Sequence, residues 1–529
     1  MSCGNPDADP AETLMPRKPK YDRGKNCIKC KDAGGSIVIR HAVYCKNCFQ
    51  PLISAKFRKT LEPHINLQAD GPRRSALKPA GDLLVGISGG LGSTVLLDLV
   101  HRTYLAPRGT TDDYGGKSHP RKDKVWKKIR VCYVELCDAF SGMEDRTEMV
   151  RSSVERYEGF EFIALRVQDA FDPAWWLKTT GAQMPASLSV DLTNEDLPLS
   201  SSSSGSPPSP LSSLQTYLRS LPTQTAIPTS ISTLVRVLLC YTAKSTGSSH
   251  LVLGTSLTSL SIALISSISQ GGGFVVPQES YEEWSLPKTQ LPATSAPSEM
   301  GKKRKKEWKG EVRVVRPLRE IGMKECAAWA WWNELPVVGK EKLPGIRQTV
   351  GGLTKDFIVG LEKDFPSTVS TIARTCGKLA PKDEQGENCA LCERPAQRTV
   401  QDWKARISIR SITAENTPSA ARQQTLTPRL CYSCHTTLTS KSPRSVVSAT
   451  KTGTSTPTGS QPPSAAVPLP VWVASNLCHS TGPGQLNDGQ LGLNAIESSG
   501  ALDEELWERK KMDEDKLKGV IGEFLLEEA

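Results

Sequence analysis

Four Cys-x-x-Cys pairs account for eight of the fifteen cysteines, and these residues are the clearest candidates for chemistry. Cys27-Ile-Lys-Cys30 and Cys45-Lys-Asn-Cys48 are separated by fourteen residues that include the turn-forming pair Gly34-Gly35. Four thiolates at this spacing can close a tetrahedron around zinc, with two sulfurs from each pair. A shell of four sulfurs leaves no open position for a substrate. We therefore predict a structural zinc site at Cys27, Cys30, Cys45 and Cys48.

The other two pairs repeat this pattern nearer the C-terminus. Cys389-Ala-Leu-Cys392 and Cys431-Tyr-Ser-Cys434 are separated by a longer gap, residues 393 to 430. We predict that these four cysteines form a second structural zinc site, and Cys376 remains open as an alternative ligand. Zinc stabilises small units of this kind when their own apolar core is insufficient.

A glycine-rich segment lies between the two Cys-rich units. Ser88-Gly89-Gly90-Leu91-Gly92-Ser93 follows an apolar run at 83 to 87 and precedes a stripe of apolar residues that predicts a helix. Glycines let the backbone approach phosphate oxygens, and a helix N-terminus offers free N–H donors. The alternative is an ordinary glycine-rich turn. We predict a phosphate site formed by Ser88, Gly89, Gly90, Gly92 and Ser93.

The elements that must position this loop alternate between strands and helices. Buried strands are predicted near 83–87, 129–136, 161–167, 250–254 and 311–315, and amphipathic or apolar helical segments connect them. Such alternation is typical of the α/β class, with a doubly wound parallel sheet and right-handed crossovers. Doubly wound sheets bind nucleotides at the carboxyl ends of their strands, where this loop is expected to lie.

Changes in composition divide the chain further. Stretches rich in Ser and Pro bury too little apolar surface to offset the entropy of the chain, so we predict them to be flexible. The predicted organisation is a disordered arm at 1–24, a zinc unit with four cysteines at 25–60, an α/β domain at 80–340 with a flexible insertion at 183–215, a Cys-containing region at 341–435, a low-complexity linker at 436–470 and a C-terminal segment at 471–529.

The bulk properties favour an intracellular protein that can contact a polyanion. The net charge is +10, and 38% of the residues are hydrophobic. Residues 1 to 20 lack the apolar core of a secretory signal, and the sequence contains no uninterrupted apolar run of transmembrane length. Paired cysteines without a signal favour metal ligation in a reducing compartment. We predict a cytoplasmic location.

Two basic segments contain tryptophan among their cations. They span residues 121 to 130, with Trp126, and residues 302 to 309, with Trp308. Cations and an aromatic ring together suit phosphate contact and base stacking. A solvated loop is the alternative for both, and a nuclear-localisation signal is a further alternative for 302 to 306. The candidate RNA contacts in the first segment are Arg121, Lys127, Lys128 and Arg130.

The glycine-rich loop resembles the Ser-Gly-Gly-x-Asp-Ser motif of the PP-loop ATP pyrophosphatases, which have an adenine nucleotide alpha hydrolase-like fold. Gly92 stands where that family has Asp. The flanking Cys pairs are similar to those of tRNA 2-thiolation enzymes. The segment 254–259 lies where those enzymes have a Gly-His-Asn-x-Asp-Asp type of motif, and Arg316-Pro-Leu-Arg319 corresponds to their Arg-Pro-Leu segment. The resemblance covers about 25–60, 80–175, 215–340 and the C-terminal cysteines.

The departures from those enzymes all remove catalytic groups. The Asp is lost at position 92, and Thr258 and Ser259 replace two acidic residues. The catalytic Cys-x-x-Cys is absent, and Cys240 stands alone in a predicted helix. This combination resembles the cytoplasmic tRNA 2-thiolation protein 2 family, the degenerate PP-loop partners of the active thiolases. The resemblance implies no catalytic residue in this chain and inefficient use of ATP and Mg²⁺.

The same resemblance implies the partners. They are an active PP-loop thiolase in a heterodimer, tRNA, and a thiocarboxylated ubiquitin-like carrier that supplies sulfur to the wobble uridine of lysine, glutamine and glutamate tRNAs. Arg316 and Arg319 become candidates for contact with tRNA or phosphate. Two alternatives stay open, namely an active ATP-dependent tRNA sulfurtransferase and a zinc-stabilised RNA-binding adaptor.

Overall fold

The strands and helices were located in a computed structural model. It describes residues 26–40, 42–66, 77–106, 125–183, 187–201, 208–285, 311–339, 342–346, 348–379, 385–397, 424–440 and 466–478. The strands are β1 (Ile37–Ile39), β2 (Ala42–Tyr44), β3 (Asp82–Ile87), β4 (Ile129–Glu135), β5 (Phe160–Arg166), β6 (Leu188–Val190), β7 (Leu199–Ser201), β8 (Ser248–Leu253), β9 (Tyr281–Trp284), β10 (Val312–Val315), β11 (Gln385–Asn388), β12 (Pro395–Gln397) and β13 (Val467–Pro468). The helices are α1 (Lys46–Leu61), α2 (Leu91–Val100), α3 (Thr147–Glu155), α4 (Pro173–Thr180), α5 (Pro210–Ser220), α6 (Ala226–Ser245), α7 (Leu257–Ser269), α8 (Val276–Ser280), α9 (Met323–Trp332), α10 (Val350–Asp364), α11 (Pro366–Cys376), α12 (Tyr432–Thr439) and α13 (Val471–Cys478).

A six-stranded sheet in the order β5-β4-β3-β8-β10-β9 organises the fold. The first five of these strands are parallel to their neighbours, which confirms the predicted α/β class with a doubly wound parallel sheet. The edge strand β9 is antiparallel to β10 and was not predicted. Its sequence, Tyr-Glu-Glu-Trp, lacks the apolar run typical of a buried strand, although Glu282 and Trp284 are both buried.

Helices cover both faces of this sheet. The long helix α6 contributes Leu234, Val237 and Leu238 to the core of one face. Helices α2 and α9 pack on the other face, and α1 of the first Cys unit joins them there. Phe49 and Phe57 of α1 are fully buried in this second core. The first Cys unit therefore shares the hydrophobic core of the α/β domain.

The prediction of a flexible insertion at 183–215 was wrong for the residues that the structure describes there. Strands β6 and β7 form an antiparallel hairpin, and β13 pairs with the outer side of β6. Val190 and Leu197 have no exposed surface. Helix α5 begins at Pro210 with Ser209 as its N-cap. The few apolar residues of this Ser-rich tract are buried because a distant segment, 466–478, packs against them, and local composition does not reveal such a partner.

One described helix, α6, is long and apolar enough to cross a membrane by length and composition alone. Within its 18-residue apolar window, 67% is buried inside the protein. Its apolar residues belong to the core beside the sheet, as in many soluble α/β proteins.

A buried histidine in the central strand β8 makes the fold sensitive to pH. The Nε2–H of His250 donates to the carbonyl oxygen of His64 at 2.8 Å, and the Ser249 hydroxyl donates to Nδ1 at 2.9 Å. The ring packs edge-on against Trp126, with 5.0 Å between centroids. Burial lowers the pKa of His250 to about 4, and the positive charge of Arg313 adds to this effect.

We expect the free energy of unfolding to fall as the pH falls from 6.5 towards 4. In this range the unfolded chain binds a proton at position 250 that the folded chain does not, which destabilises the fold by about 1.4 kcal/mol per pH unit. Urea denaturation of the wild type and of His250→Gln at pH 7.0 and 5.5 measures the effect. Between these two pH values the free energy of unfolding should change by about 1 kcal/mol less in the variant than in the wild type. Equal pH dependence in both proteins would contradict the assignment.

Candidate functional site

The first Cys unit brings its four thiols together as predicted. The Sγ atoms of Cys27, Cys30, Cys45 and Cys48 all lie within 4.8 Å of one another, and those of Cys30 and Cys45 are 3.8 Å apart. Strands β1 and β2 form the hairpin that returns the chain from the first pair to the second. Cys45 is the N-cap of α1, so Cys48 lies in the first turn of that helix. This group can hold a metal ion.

The second Cys unit has the same geometry in a more buried setting. The Sγ atoms of Cys389, Cys392, Cys431 and Cys434 lie within 4.8 Å of one another, and all four residues are buried. Cys431 is the N-cap of α12, as Cys45 is of α1. The alternative ligand Cys376 instead packs in a separate apolar cluster formed by α7, α10 and α11. The second centre is therefore formed by the two Cys-x-x-Cys pairs.

In each centre, the Cys-x-x-Cys pair nearer the N-terminus ends in the same backbone turn. The residue that follows the second cysteine has a positive φ, +64° at Lys31 and +56° at Glu393. Its N–H donates to the carbonyl oxygen of the first cysteine at 2.8 Å in each case. Non-glycine residues rarely adopt this conformation, and it persists where the surrounding structure requires it. A repeated strained turn at two Cys pairs supports a common role in metal binding.

The thiols within each centre differ in acidity. Burial alone would raise the pKa of Cys27, but hydrogen bonds from the backbone of Cys30, Cys45 and Lys29 bring it to about 6. Burial and the neighbouring Cys45 thiol raise the pKa of Cys48 to about 12. Hydrogen bonds from the neighbouring Cys389 thiol hold the pKa of Cys392 well below its usual value. One thiolate is thus available first in each centre, and an arriving cation displaces the remaining protons.

A buried group of arginines and glutamates ties the second centre to the edge of the sheet. Arg236 of α6 donates to the carbonyl oxygen of Cys392 and pairs with Glu282 of β9. Arg394 lies 3.4 Å from the same Glu282 and also pairs with Glu279. Burial alone would raise the pKa of Glu279, but the adjacent arginines lower it to about 2. The second centre is therefore anchored by buried charges as well as by apolar contacts.

The glycine-rich loop lies at the carboxyl end of β3, as predicted. Gly89 has a φ of +69°, and Gly90 is the N-cap of α2. The Ser93 hydroxyl donates to the carbonyl oxygen of Gly90 at 2.8 Å and is buried. Ser88 is exposed. The loop thus keeps the strand–loop–helix form of a phosphate site, while the Ser93 hydroxyl is bonded to Gly90 and lies 3.5 Å from the Ser88 hydroxyl.

Position 92 has no space for a side chain. A Cβ atom built on Gly92 would lie 2.1 Å from the carbonyl oxygen of Gly254, which follows β8. A Cβ atom on Gly254 would in turn lie 2.6 Å from the carbonyl carbon and oxygen of Gly92. The first turn of α2 and the end of β8 are therefore in direct backbone contact at this glycine pair. An aspartate at position 92 does not fit this packing.

A second segment packs against the other side of the loop. The N–H of Gly339 donates to the carbonyl oxygen of Gly89 at 2.9 Å, and Arg146 donates to the carbonyl oxygen of Gly339 at 3.1 Å. The Cβ atom of Val338 lies 3.4 Å from the Cβ position of Gly89. The chain that follows α9 thus fixes the loop in place.

Thr258 and Ser259, which stand where the thiolases have two acidic residues, make contacts within the fold. Thr258 is fully buried, donates to Glu362 of α10 at 2.8 Å and accepts the N–H of Met323 at 2.9 Å. The N–H of Ser259 donates to the hydroxyl of Ser256, the N-cap of α7, at 3.2 Å. The Thr258 side chain joins α7 to α9 and α10, whereas Ser259 contacts the N-cap of its own helix.

A third group of possible ligands was missed by the sequence analysis. Oxygen or sulfur atoms of Glu135, Cys137 and Asp145 lie within 4.8 Å of one another beyond the carboxyl end of β4. However, Glu135 accepts the N–H groups of Leu136, Cys137 and Arg146 at 2.6 to 3.0 Å. Its carboxylate therefore holds the loop after β4 in place. Its position at the carboxyl end of a central strand is the sequence signal that could have pointed to this residue.

The candidate RNA contacts differ in their exposure and in their partners. Lys127 and Lys128 are exposed, and Lys128 lies 3.6 Å from Glu161. Arg130 is largely covered and pairs with Asp82 at 3.0 Å. Arg121 lies outside the described residues, as does the segment 302 to 309. Trp126 is 2% exposed and cannot stack on a base in this structure.

The two arginines of the Arg-Pro-Leu-Arg segment also lie in different environments. Arg319 is half-buried, and its positive charge contributes to a lowered pKa of His64, after the larger effect of burial. Arg316 is 4% exposed, lies 3.6 Å from Glu279 and donates to the carbonyl oxygen of Gln278. This burial contradicts the predicted contact for Arg316, because its guanidinium is already paired inside the protein.

Comparison with known proteins shows which family this chain resembles. The family model for cytoplasmic tRNA 2-thiolation protein 2 matches residues 349–436, which span α10, α11 and the second Cys centre. The Xenopus tropicalis protein of that name is 26% identical over 428 residues, covering 72% of this chain and 75% of the relative. The human protein is 25% identical over 427 residues (74% and 75%), and the Pyrenophora tritici-repentis protein is 26% identical over 398 residues (72% and 87%).

Among solved structures, the chain is similar to the U34-tRNA thiolase NcsA from Methanococcus maripaludis with its 4Fe-4S cluster. The TM-score is 0.40 at 17% identity, over 73% of this chain and 98% of that chain. The relatives' names describe cytoplasmic proteins, in agreement with the predicted location. The family model matches one segment and the relatives match most of the sequence, and both confirm the predicted resemblance to the cytoplasmic tRNA 2-thiolation protein 2 family.

Proposed function

We propose that this chain is a non-catalytic subunit that pairs with an active PP-loop homologue to 2-thiolate the wobble uridine of tRNA. The observation that supports this most directly is the backbone contact between Gly92 and Gly254, which excludes a carboxylate at position 92. Adenylation by ATP needs Mg²⁺ held beside the phosphates by oxygen ligands. Residues 88 to 93 contain no carboxylate.

In this proposal the active homologue performs adenylation and sulfur transfer. Its sulfur comes from a thiocarboxylated ubiquitin-like carrier, and the product is 5-methoxycarbonylmethyl-2-thiouridine. This chain stabilises the homologue and provides part of the surface that binds tRNA. Lys127, Lys128 and Arg319 remain candidates for that surface.

We also infer that zinc fills both Cys centres. In a tetrahedral zinc site with Zn–S bonds near 2.3 Å, neighbouring sulfurs are about 3.8 Å apart. The Sγ atoms of Cys30 and Cys45 have this separation, as do those of Cys392 and Cys431. Zinc would neutralise part of the thiolate charge and stabilise each unit. A closed shell of four sulfurs suits a structural role.

A reconstituted thiolation assay tests the proposal. Purified chain, purified PP-loop homologue and both together are each given ATP, Mg²⁺, the thiocarboxylated carrier and tRNA. Nucleoside mass spectrometry then measures 2-thiouridine. We expect product from the pair, little from the homologue alone and none from this chain alone. Product formed by this chain alone would overturn the non-catalytic assignment, and no stimulation of the homologue would overturn the pairing.

A further inference from the structure

The first Cys unit and the helix that follows it have a predominantly basic surface. Residues 26 to 66 contain seven Lys and Arg residues and two acidic residues. Six of these cations are exposed: Lys29, Lys31, Arg40, Lys46, Arg58 and Lys59. Within the part of the chain that the structure describes, none of the six has a carboxylate partner within 4.0 Å, whereas Lys56 of the same helix pairs with Glu325 at 3.1 Å.

The metal centre does not cancel this charge. A Zn²⁺ ion with four thiolates has a formal charge of −2. Seven cations, two carboxylates and this centre leave a net charge of +3 on a unit of 41 residues. A surplus of exposed cations on a small unit is the electrostatic signature of polyanion binding.

An exposed tryptophan lies beside this basic unit. Trp331 is 81% exposed, whereas Trp329 of the same helix is 2% exposed. The end of α9 that presents Trp331 packs against α1, because Trp332 contacts Phe49 with ring centroids 5.0 Å apart. Asn333, the C-cap of α9, also accepts a hydrogen bond from Gln50 of α1.

The surroundings of Trp331 favour RNA over a protein partner. One and two turns earlier on the exposed side of α9 are Ala327 and Lys324, so a small residue and a cation accompany the ring. A protein interface needs a contiguous apolar core around its aromatic anchor. Single-stranded RNA needs cations for its phosphates and an isolated aromatic face for an unpaired base.

We infer that the first Cys unit, α1 and Trp331 form an RNA-binding surface, in which the exposed cations contact phosphates and Trp331 stacks on an unpaired base. This inference rests on the proposed function, because it assigns to this chain a defined share of the tRNA surface.

Fluorescence anisotropy with a labelled anticodon stem–loop RNA tests the electrostatic part. The full-length, zinc-loaded chain is compared with Lys29→Gln/Lys31→Gln/Lys46→Gln and with a matched triple variant of exposed lysines elsewhere, Lys178→Gln/Lys355→Gln/Lys363→Gln. The first variant should bind about 10-fold more weakly near 0.15 M salt, and the slope of log affinity against log salt should fall in magnitude by roughly 2. The matched variant should stay within about 2-fold of the wild type. Metal analysis confirms that each variant keeps its zinc.

Comparison of Trp331→Ala with Phe357→Ala tests the stacking part. Phe357 of α10 is the control because it is also an exposed aromatic residue, with 59% of its surface exposed. Trp331→Ala should weaken binding of the stem–loop about 10-fold and of a blunt RNA duplex much less, since only the loop has unpaired bases. Phe357→Ala should change the affinity for neither RNA.

The possible outcomes separate this inference from the proposed function. Equal RNA affinity and salt slope in the two triple-lysine variants would overturn the RNA surface, while thiolation by the reconstituted pair would still support the proposed function. Loss of binding to the PP-loop homologue with RNA affinity retained would identify a protein interface and overturn the inference. Normal RNA binding by this chain with no stimulation of thiolation would instead overturn the proposed function.

Discussion

Replacing Gly92 by aspartate, which restores the PP-loop motif in sequence, should destabilise this protein and should not create an active enzyme. The new Cβ atom would lie 2.1 Å from the carbonyl oxygen of Gly254. The obstacle is backbone, so no flexible side chain can move aside, and either α2 or the end of β8 must shift. Overpacking of this kind typically costs about 1 to 3 kcal/mol, and we expect the upper part of that range.

Thermal and urea denaturation measure this change, and the thiolation assay without the homologue measures activity. Gly360→Asp is the matched control, because a Cβ atom built on Gly360 meets nothing within 4 Å. The control should stay within about 1 kcal/mol of the wild type. A stable Gly92→Asp protein that forms 2-thiouridine alone would show that only the missing carboxylate had silenced the loop.

The contact at Gly92 shows what the sequence could and could not predict about the site. The strand–loop–helix arrangement follows from local signals, namely an apolar run, glycines and an apolar helical stripe. The loss of the carboxylate at position 92 was also visible. The partner Gly254 lies 162 positions away in the sequence, and only the register of β3 beside β8 brings the two backbones together. Local sequence patterns do not show which distant residues come into contact.

The same reason explains the two residues that the sequence analysis misplaced as RNA contacts. Arg316 lies in the segment that corresponds to the Arg-Pro-Leu segment of the thiolases, but Glu279 of α8 pairs with it inside the protein. Trp126 lies among exposed lysines, yet its ring packs on His250 in the core. The family resemblance predicted a contact for Arg316, and charge with aromatic content predicted one for Trp126, but long-range packing gives both residues a structural role. By contrast, the Cys pairs were predicted correctly as groups, because metal ligation imposes a spacing that is visible locally.

The two Cys centres should release their metal at very different rates. In the first centre Cys30 and Cys48 are half-buried, whereas all four cysteines of the second are buried and Arg236 closes over Cys392. A chelator must reach the sulfur shell to remove the metal. We expect a chromogenic chelator to take one zinc equivalent from the native full-length chain at least roughly 10-fold faster than the second.

Loss of the second centre should unfold the packing around it. Trp472 donates to the carbonyl oxygen of Leu391 at 3.0 Å, and Trp284 donates to Glu393 at 2.8 Å, so two buried tryptophans depend on the first Cys pair of this centre. Structural zinc contributes about 10 kcal/mol or more in small zinc units, comparable to the whole stability of a typical domain. Cys431→Ser should therefore bind one zinc instead of two, and its tryptophan fluorescence should shift to the red.

Cys376→Ser is the matched control for this change. It also removes a buried thiol, but Cys376 packs among the apolar residues of α7, α10 and α11, away from the four sulfurs. This variant should retain two zinc ions and a native emission spectrum, at a cost of about 1 to 3 kcal/mol for the buried hydroxyl. Loss of a zinc ion in Cys376→Ser, or equal release rates from the two centres of the wild type, would contradict this account. The expected result would show that the second centre is a buried part of the core and that the first is the more accessible of the two.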